Sequence, residues 1–452
     1  MDDGIQEKVM AMGLLTDLYE LNMAASYLRR GMTEPATFSL FVRKLPPDRS
    51  FLVTAGLEDC LRFLEGFHFT KTEAAYLQQT QGYGPDVMEA FERLRFTGDV
   101  WALPEGCTAF AGEPILEVTA PIAEAQLVET VLLNHVTFQT CVATKAARCV
   151  LAAGGAQLVD FAFRRTQGVE AGMSVARASA IAGFSATSNV EAARRYGLKA
   201  AGTMAHSFIE AFRDEEAAFE AFAADFPDTC TFLVDTYDTL TGVRAAIAVA
   251  RRMHLSETLG VRLDSGDLAE LSRQTRRLLD GAGLRDARIF ASGGLDEYEI
   301  AELVEQGAPI DAYGVGTTMG VSADAPSLDS AYKLVAYGGR PVMKLSTGKV
   351  TAPGAKQVFR GAARDIVGLR EEPVPAGYRP LLAPAIIAGR RPAAPEPIAA
   401  MRDRSSAELA ALPPAARALR DPEPREVRYS SRLTQLADQV RAEIEESLAV
   451  RS

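Results

Sequence analysis

The chain has 452 residues, 48% hydrophobic and 24% charged, with a formal net charge of −11. That length exceeds one ordinary domain, and the ordinary globular composition excludes disorder of the whole chain. The acidic balance excludes bulk binding to nucleic acid or acidic membranes, although locally clustered Arg and Lys can still hold a small anion.

The opening MDDGIQEKVM is acidic and lacks the apolar run of a secretory signal. No stretch approaches the roughly 18 apolar residues of a membrane helix. Five cysteines, odd in number and without a CxxC pair, read as free thiols of a reducing compartment. A cytoplasmic protein is expected. Residues 14–30 carry helical spacing and stop at Gly31, and residues 37–43 alternate like a strand ended by Pro46 and Pro47. Residues 101–120 suggest short strands. Two helix patterns follow, over 122–134 and 141–153, the second closed by Gly154 and Gly155.

Apolar runs then end at Val159, Ala201, Val234, Leu263, Phe290 and Tyr313, with helical stretches between them. Such alternation means parallel strands with crossover helices, and six units without a central break suggest a barrel. In a barrel, function sits on the loops after the strands. Each run here is followed at once by a polar or Gly-rich segment: DFAFRR, GTMAHS, DTYDTLTG, DSGD, SGGLD and GVGTT. Residues 338–360 read as a basic hairpin (Arg340, Lys344, Lys349, Lys356, Arg360). Residues 373–426, rich in Pro, Ala and Arg, read as extended surface chain, and 431–450 as a terminal helix.

Several segments offer chemistry beside a plainer reading. SGG (Ser292, Gly293, Gly294) and GVGTT (Gly314, Gly316, Thr317) let backbone N–H groups approach a phosphate, or are ordinary turns. VRLDSGD sets Arg262, an anion clamp, beside Asp264 and Asp267, which suit a ribose or a magnesium ion; Asp264 or Ser265 is equally an N-cap. His206 lies on a loop after a strand, and Asp235, ending the next strand, is placed to hold its tautomer. His68, His135 and His254 read as structural. Phe161 or Phe163 offers a ring face beside Arg164, with at most one of the two facing the site. Ser188 and Glu191 form a capping box.

Taken together these segments resemble nicotinate phosphoribosyltransferases. The resemblance runs in unbroken order from LLTDLYELNMAASY through FVRKLP, ETVLLNHVTFQTCVATKAAR, DFAFRRTQG, GFSATSNVEAARRYGL, GTMAHSF, VDTYDTLTG, GVRLDSGDL, ASGGLDEYEI and YGVGTT to KLSTGKVTAPGAKQVFR. It departs from the family only at Ala162, where Gly is expected. It implies a type II phosphoribosyltransferase, an irregular α/β barrel with an α+β second domain made from N-terminal and some C-terminal chain. The expected divisions are 1–135, 136–337 and 338–452. The substrates implied are nicotinate, phosphoribosyl pyrophosphate and ATP, with Mg2+ as cofactor and a homodimer with shared sites. The product would be nicotinate mononucleotide, in the first step of NAD salvage.

By this resemblance Tyr19 reaches the partner's site and stacks the pyridine against Phe161. Arg164 and Arg262 face substrate anions, and Thr203 the nicotinate. His206 is phosphorylated by ATP, with Asp235 orienting it. Asp264, Ser292, Gly293, Gly294, Gly314, Gly316 and Thr317 hold the phosphoribosyl group. The alternatives are a nicotinamide phosphoribosyltransferase and a non-catalytic metabolite-binding protein on the same scaffold. Relatives that prefer the amide carry an acidic residue at the position of Ser188, so Ser188 favours the acid.

Overall fold

The computed structural model describes residues 12–255, 257–346 and 351–450. In the N-terminal lobe, six antiparallel strands run in the order Arg340–Pro341, Ser330–Tyr337, Pro35–Val42, Pro114–Pro121, Asp99–Ala102 and Ala383–Ile386. The Pro35–Val42 strand is central because most of it is apolar and buried. On it Phe38 stacks on Tyr332 at 4.8 Å, and Thr37 meets Thr119 Oγ1 at 3.0 Å. The sequence from 330 to 337, expected to end the barrel segment, thus pairs with the N-terminal strand instead.

The second lobe is the parallel sheet. Its strands are Gln157–Asp160, Ala186–Thr187, Thr231–Leu233, Gly260–Leu263, Arg288–Ala291 and Ala312–Val315. The last returns to pair with the first, so the neighbours follow chain order around a curve. The run expected to end at Ala201 survives only as a parallel bridge between Thr187 and Ala200. Among the described residues no ladder joins that bridge to Thr231–Leu233. The result is the irregular barrel expected, with all six strands ending on one side.

The two helix patterns at 122–134 and 141–153 resolve differently. A break at Val128 leaves a short helix, Ile122–Leu127, and then one 24-residue helix, Glu129–Ala152. No Gly or Pro interrupts that span, and burial on both sides outweighs the weak propensity of its Thr and Val residues. It contributes to both hydrophobic cores. The tract at 373–426 is less extended than expected. It supplies the Ala383–Ile386 edge strand and a helix, Ile398–Ala411, that packs on Val169–Ala182.

The basic hairpin is not one hairpin. Arg340–Pro341 turns back on Ser330–Tyr337, whereas Lys356–Arg360 enters a separate four-stranded sheet. Lys349 lies outside the described residues. Lys356 is buried with Glu117 at 3.2 Å, and Arg360 pairs with Asp365 at 2.8 Å. Those cations serve the interior. Among the described residues no helix is long and apolar enough to cross a membrane.

A buried ion pair locks the lobes together. Arg177, on the helix after the first barrel strand, donates to both oxygens of Glu105 at 2.7 and 2.6 Å, each side chain 3% exposed. Glu105 also accepts from the Gly56 amide. Replacing Arg177 with Met strands that carboxylate, so stability should fall by about 3–5 kcal/mol. Urea denaturation measures the loss, and adding Glu105→Gln should recover part of it. An unchanged midpoint for Arg177→Met would show that the pair does not join the lobes.

Candidate active site

The strand ends converge on a cavity of about 360 Å³ lined by Phe161, Phe163, Arg164, Ser188, Thr203 and His206, with Arg262 and Asp264 at its base. Arg262 alternates inward from the Gly260–Leu263 strand, and three neighbours fix its guanidinium. Nε donates to Ser292 Oγ at 2.8 Å, Nη1 to Thr203 Oγ1 at 3.1 Å and Nη2 to Asp264 Oδ1 at 2.7 Å. It also lies 5.2 Å from the centroid of the Phe161 ring. Burial would raise the Asp264 carboxyl, but the Ser292 hydroxyl, Arg262 and His206 together hold it below its usual value. Asp264 is therefore a carboxylate at neutral pH.

His206 opens the short helix His206–Glu210. Its Nδ1 lies 3.2 Å from Thr236 Oγ1 and its Nε2 3.9 Å from Asp264 Oδ2. Asp235 does not hold the imidazole, contrary to the sequence expectation. Its Oδ2 is taken by the Asp264 amide at 3.0 Å and the Ser265 hydroxyl at 2.6 Å, because that turn presents two donors to it. Its Oδ1 is buried without a hydrogen-bond partner among the described residues.

The DFAFRR loop is held by Asp160, which is fully buried. One oxygen accepts from the Ala162 amide at 2.8 Å and the other from Thr187 Oγ1 at 2.7 Å. A single 3-10 turn over Phe163–Arg165 breaks the strand alternation, so both phenylalanines face the cavity rather than one. Arg164 is exposed and makes no ion pair among the described residues. The methyl of Ala162, where Gly is expected, is accommodated by Gly320, whose own Cβ would stand 2.4 Å from it.

Two capping assignments move. Asn189, not Ser188, caps the helix Val190–Tyr196, which leaves the Ser188 side chain in the cavity lining. Asp267, not Asp264 or Ser265, caps Leu268–Gly281, so it is occupied away from the site. The glycine loops lie close by. Gly293 has φ +107 and is pressed on the next strand end, where a Cβ would stand 2.0 Å from the Asp264 carbonyl. Gly314 lies beneath Phe161, whose ring a Cβ would meet at 2.6 Å, so it seats the aromatic. Gly316 and Thr317 follow on the same loop.

Tyr19 is not brought to this cavity by its own chain. It stands half-exposed in a separate hollow with Glu129 and Thr130. Burial, with Glu129 and Glu20 beside it, pushes its phenol up. Sequence reasoning missed Thr236 as the neighbour of His206; its hydroxyl, one residue after a strand-end carboxylate, was the available signal. Among the described residues no group of three or more His, Cys, Asp or Glu forms a metal site.

Residues 14–137 match the family model described as the nicotinate phosphoribosyltransferase N-terminal domain, and residues 156–352 match that of the nicotinate phosphoribosyltransferase family. A nicotinate phosphoribosyltransferase of Mycobacterium tuberculosis is 49% identical over 415 residues, covering 90% of this chain and 89% of its own length. One from Bacillus subtilis is 47% identical, covering 77% and 73%. The crystal structure of human nicotinic acid phosphoribosyltransferase superposes with a TM-score of 0.83 at 31% identity, covering 94% of this chain and 99% of its own.

Crowding at Gly293 gives a direct test of the loop. Gly293→Ala should displace the loop from Asp264 and weaken binding of pyrophosphate by at least about tenfold, because small misplacements at such sites are costly. Calorimetric titration reads the affinity, and circular dichroism confirms the fold. Unaltered affinity would mean that the amides of this loop do not meet the anion.

Proposed function

This chain belongs to the nicotinate phosphoribosyltransferase family, and from that premise we propose that it makes nicotinate mononucleotide and pyrophosphate from nicotinate and phosphoribosyl pyrophosphate. We further assign it ATP coupling through a phosphohistidine at His206, in the first step of NAD salvage from nicotinic acid. The observation that carries the reading is the guanidinium of Arg262, held at once by Ser292, Thr203 and Asp264 beneath the Phe161 ring.

The pyridine nitrogen attacks the anomeric carbon of the ribose, and the carbon–oxygen bond to pyrophosphate breaks with its electrons leaving on pyrophosphate. Phe161 supplies a face for the pyridine, and Arg164, without an ion pair among the described residues, neutralises its carboxylate. A carboxylate at Ser188 would repel that group by roughly 1–4 kcal/mol at about 4 Å, and a hydroxyl does not. The Asp264 carboxylate steadies the positive charge that develops on the ribose. The Gly293–Gly294 amides and Ser292 meet the phosphates.

Magnesium fits this donor set. The ion favours one or two carboxylates plus substrate phosphates over an all-protein cage. Asp264 and Asp235, with its unpartnered buried Oδ1, are the residues that would hold it. When bound, the ion would offset the charge gathering on the leaving pyrophosphate.

Bond formation needs no histidine, because the pyridine nitrogen is itself the nucleophile. His206 therefore serves coupling. Labelled ATP should give an acid-labile, base-stable phosphoprotein that is lost in His206→Ala, while that variant keeps a slow ATP-independent transfer. Undiminished labelling of His206→Ala would place the phosphate elsewhere.

Tyr19, apart from its own chain's cavity, completes the site of a partner subunit in a homodimer. Mixing Tyr19→Ala with Arg262→Ala protein should restore activity through hybrid dimers carrying one intact site. No recovery after verified subunit exchange would overturn the shared site.

A further inference from the structure

We infer that Lys145, which lies outside the cavity lining, is a positioning residue that holds the two glycine loops in register for the phosphoribosyl group. The inference rests on the reading above that these loops bind phosphate.

Lys145 sits in the C-terminal half of the Glu129–Ala152 helix with its side chain 2% exposed. Its ammonium lies 2.6 Å from Glu297 Oε2, 3.1 Å from Asp324 Oδ1 and 3.8 Å from Asp296 Oδ2. The three carboxylates come from two places. Asp296 and Glu297 begin the helix that follows Ser292, Gly293 and Gly294. Asp324 follows the turn that closes the short helix after Gly316, where the Ala323 amide donates to the Thr318 carbonyl at 3.0 Å. One cation thus joins the ends of both loops.

Neighbouring bonds extend the link in both directions. Thr318 Oγ1 donates to the Leu295 carbonyl at 3.0 Å, tying the loops directly. Arg49, from the N-terminal lobe, forks onto Asp324 at 2.9 and 3.0 Å. Arg148, one turn along from Lys145, meets Glu297 Oε1 at 2.8 Å.

Stability alone is a poor account of this arrangement. A buried ion pair costs heavy desolvation, and an apolar cluster of equal volume is often as stable. What an apolar cluster lacks is direction. An ammonium with carboxylates from two loops fixes their separation, and the amides of Gly293 and Gly316 inherit that spacing.

The test uses the full-length protein and three variants: Lys145→Met, Asp324→Asn, and the two combined. Lys145→Met should raise the KM for phosphoribosyl pyrophosphate and the Kd for pyrophosphate about 10–100-fold, with the KM for nicotinate changed less than about twofold. Asp324→Asn, a milder break of the same link, should move the same constants in the same direction. The double variant removes one charge of each sign, so its thermal midpoint should recover towards wild type while both constants stay raised. Wild-type constants in the single variants, or a double variant that recovers midpoint and affinity together, would show a purely structural role. Wild-type protein that binds pyrophosphate but performs no transfer would overturn the proposed function, while pyrophosphate affinity in the variants would still decide this inference.

Discussion

A helix that carries Lys145 and Arg148 through an apolar interior is tenable only where carboxylates meet both charges. Removing such ions from water costs several kcal/mol each, and leaving one unmatched costs about 3–5 kcal/mol of stability. The matching partners, Glu297 and Asp324, come from the barrel, and Arg49 reaches the same cluster from the N-terminal lobe. The neighbouring Val131, Leu132 and Val136 pack into the N-terminal core, and Ala146, Ala147 and Cys149 into the barrel core. The charges therefore fix where along the helix each lobe sits, which dispersion among alanines cannot do. Arg177 and Glu105 repeat the device at another point of the lobe boundary.

The same pairing bears on how an acidic chain presents an anion site. Most of its buried cations are already matched from within: Arg360 with Asp365 and Glu408, Arg425 with Asp365, Lys356 with Glu117. Even Arg262 is partly neutralised by Asp264. Arg262 is thus better suited to directing hydrogen bonds than to generating a field. The net positive charge at the mouth rests on Arg164, without an internal partner among the described residues, on a loop tied down by the buried Asp160. A fixed loop carrying a free cation is well suited to a monoanionic ring.

Much of this was legible in the sequence, and the limits have physical causes. The alternation of apolar runs and helices gave the parallel sheet, because buried parallel strands read as continuous apolar stretches. The two-residue strand Ala186–Thr187 carries too few residues for any period, and it passed unnoticed. The break between two helices was expected after Asn134 and falls at Val128 instead, since His135 and the Thr residues weaken the pattern without breaking the backbone. Within the site, Phe161, Arg164, Ser188, Thr203, His206, Arg262 and Asp264 come together as a set. Caps were less legible: Ser188 and Asn189 are both good N-caps, and only the backbone decides which one turns towards the helix.

The His206 environment shows why strand order locates a site better than it assigns partners. Asp235 and Thr236 follow one another at the same strand end, and successive side chains point apart. Asp235 turns towards the Asp264–Ser265 turn, where an amide and a hydroxyl await it, and Thr236 is left to face the imidazole. A threonine hydroxyl can accept from an Nδ1 that carries hydrogen or donate to one that does not, so it holds the ring in either tautomer. Asp264, engaged by Arg262 and Ser292, stands 3.9 Å from the other ring nitrogen. The turn of Asp235 towards Asp264 and Ser265 leaves its other oxygen, Oδ1, buried and without a hydrogen-bond partner among the described residues.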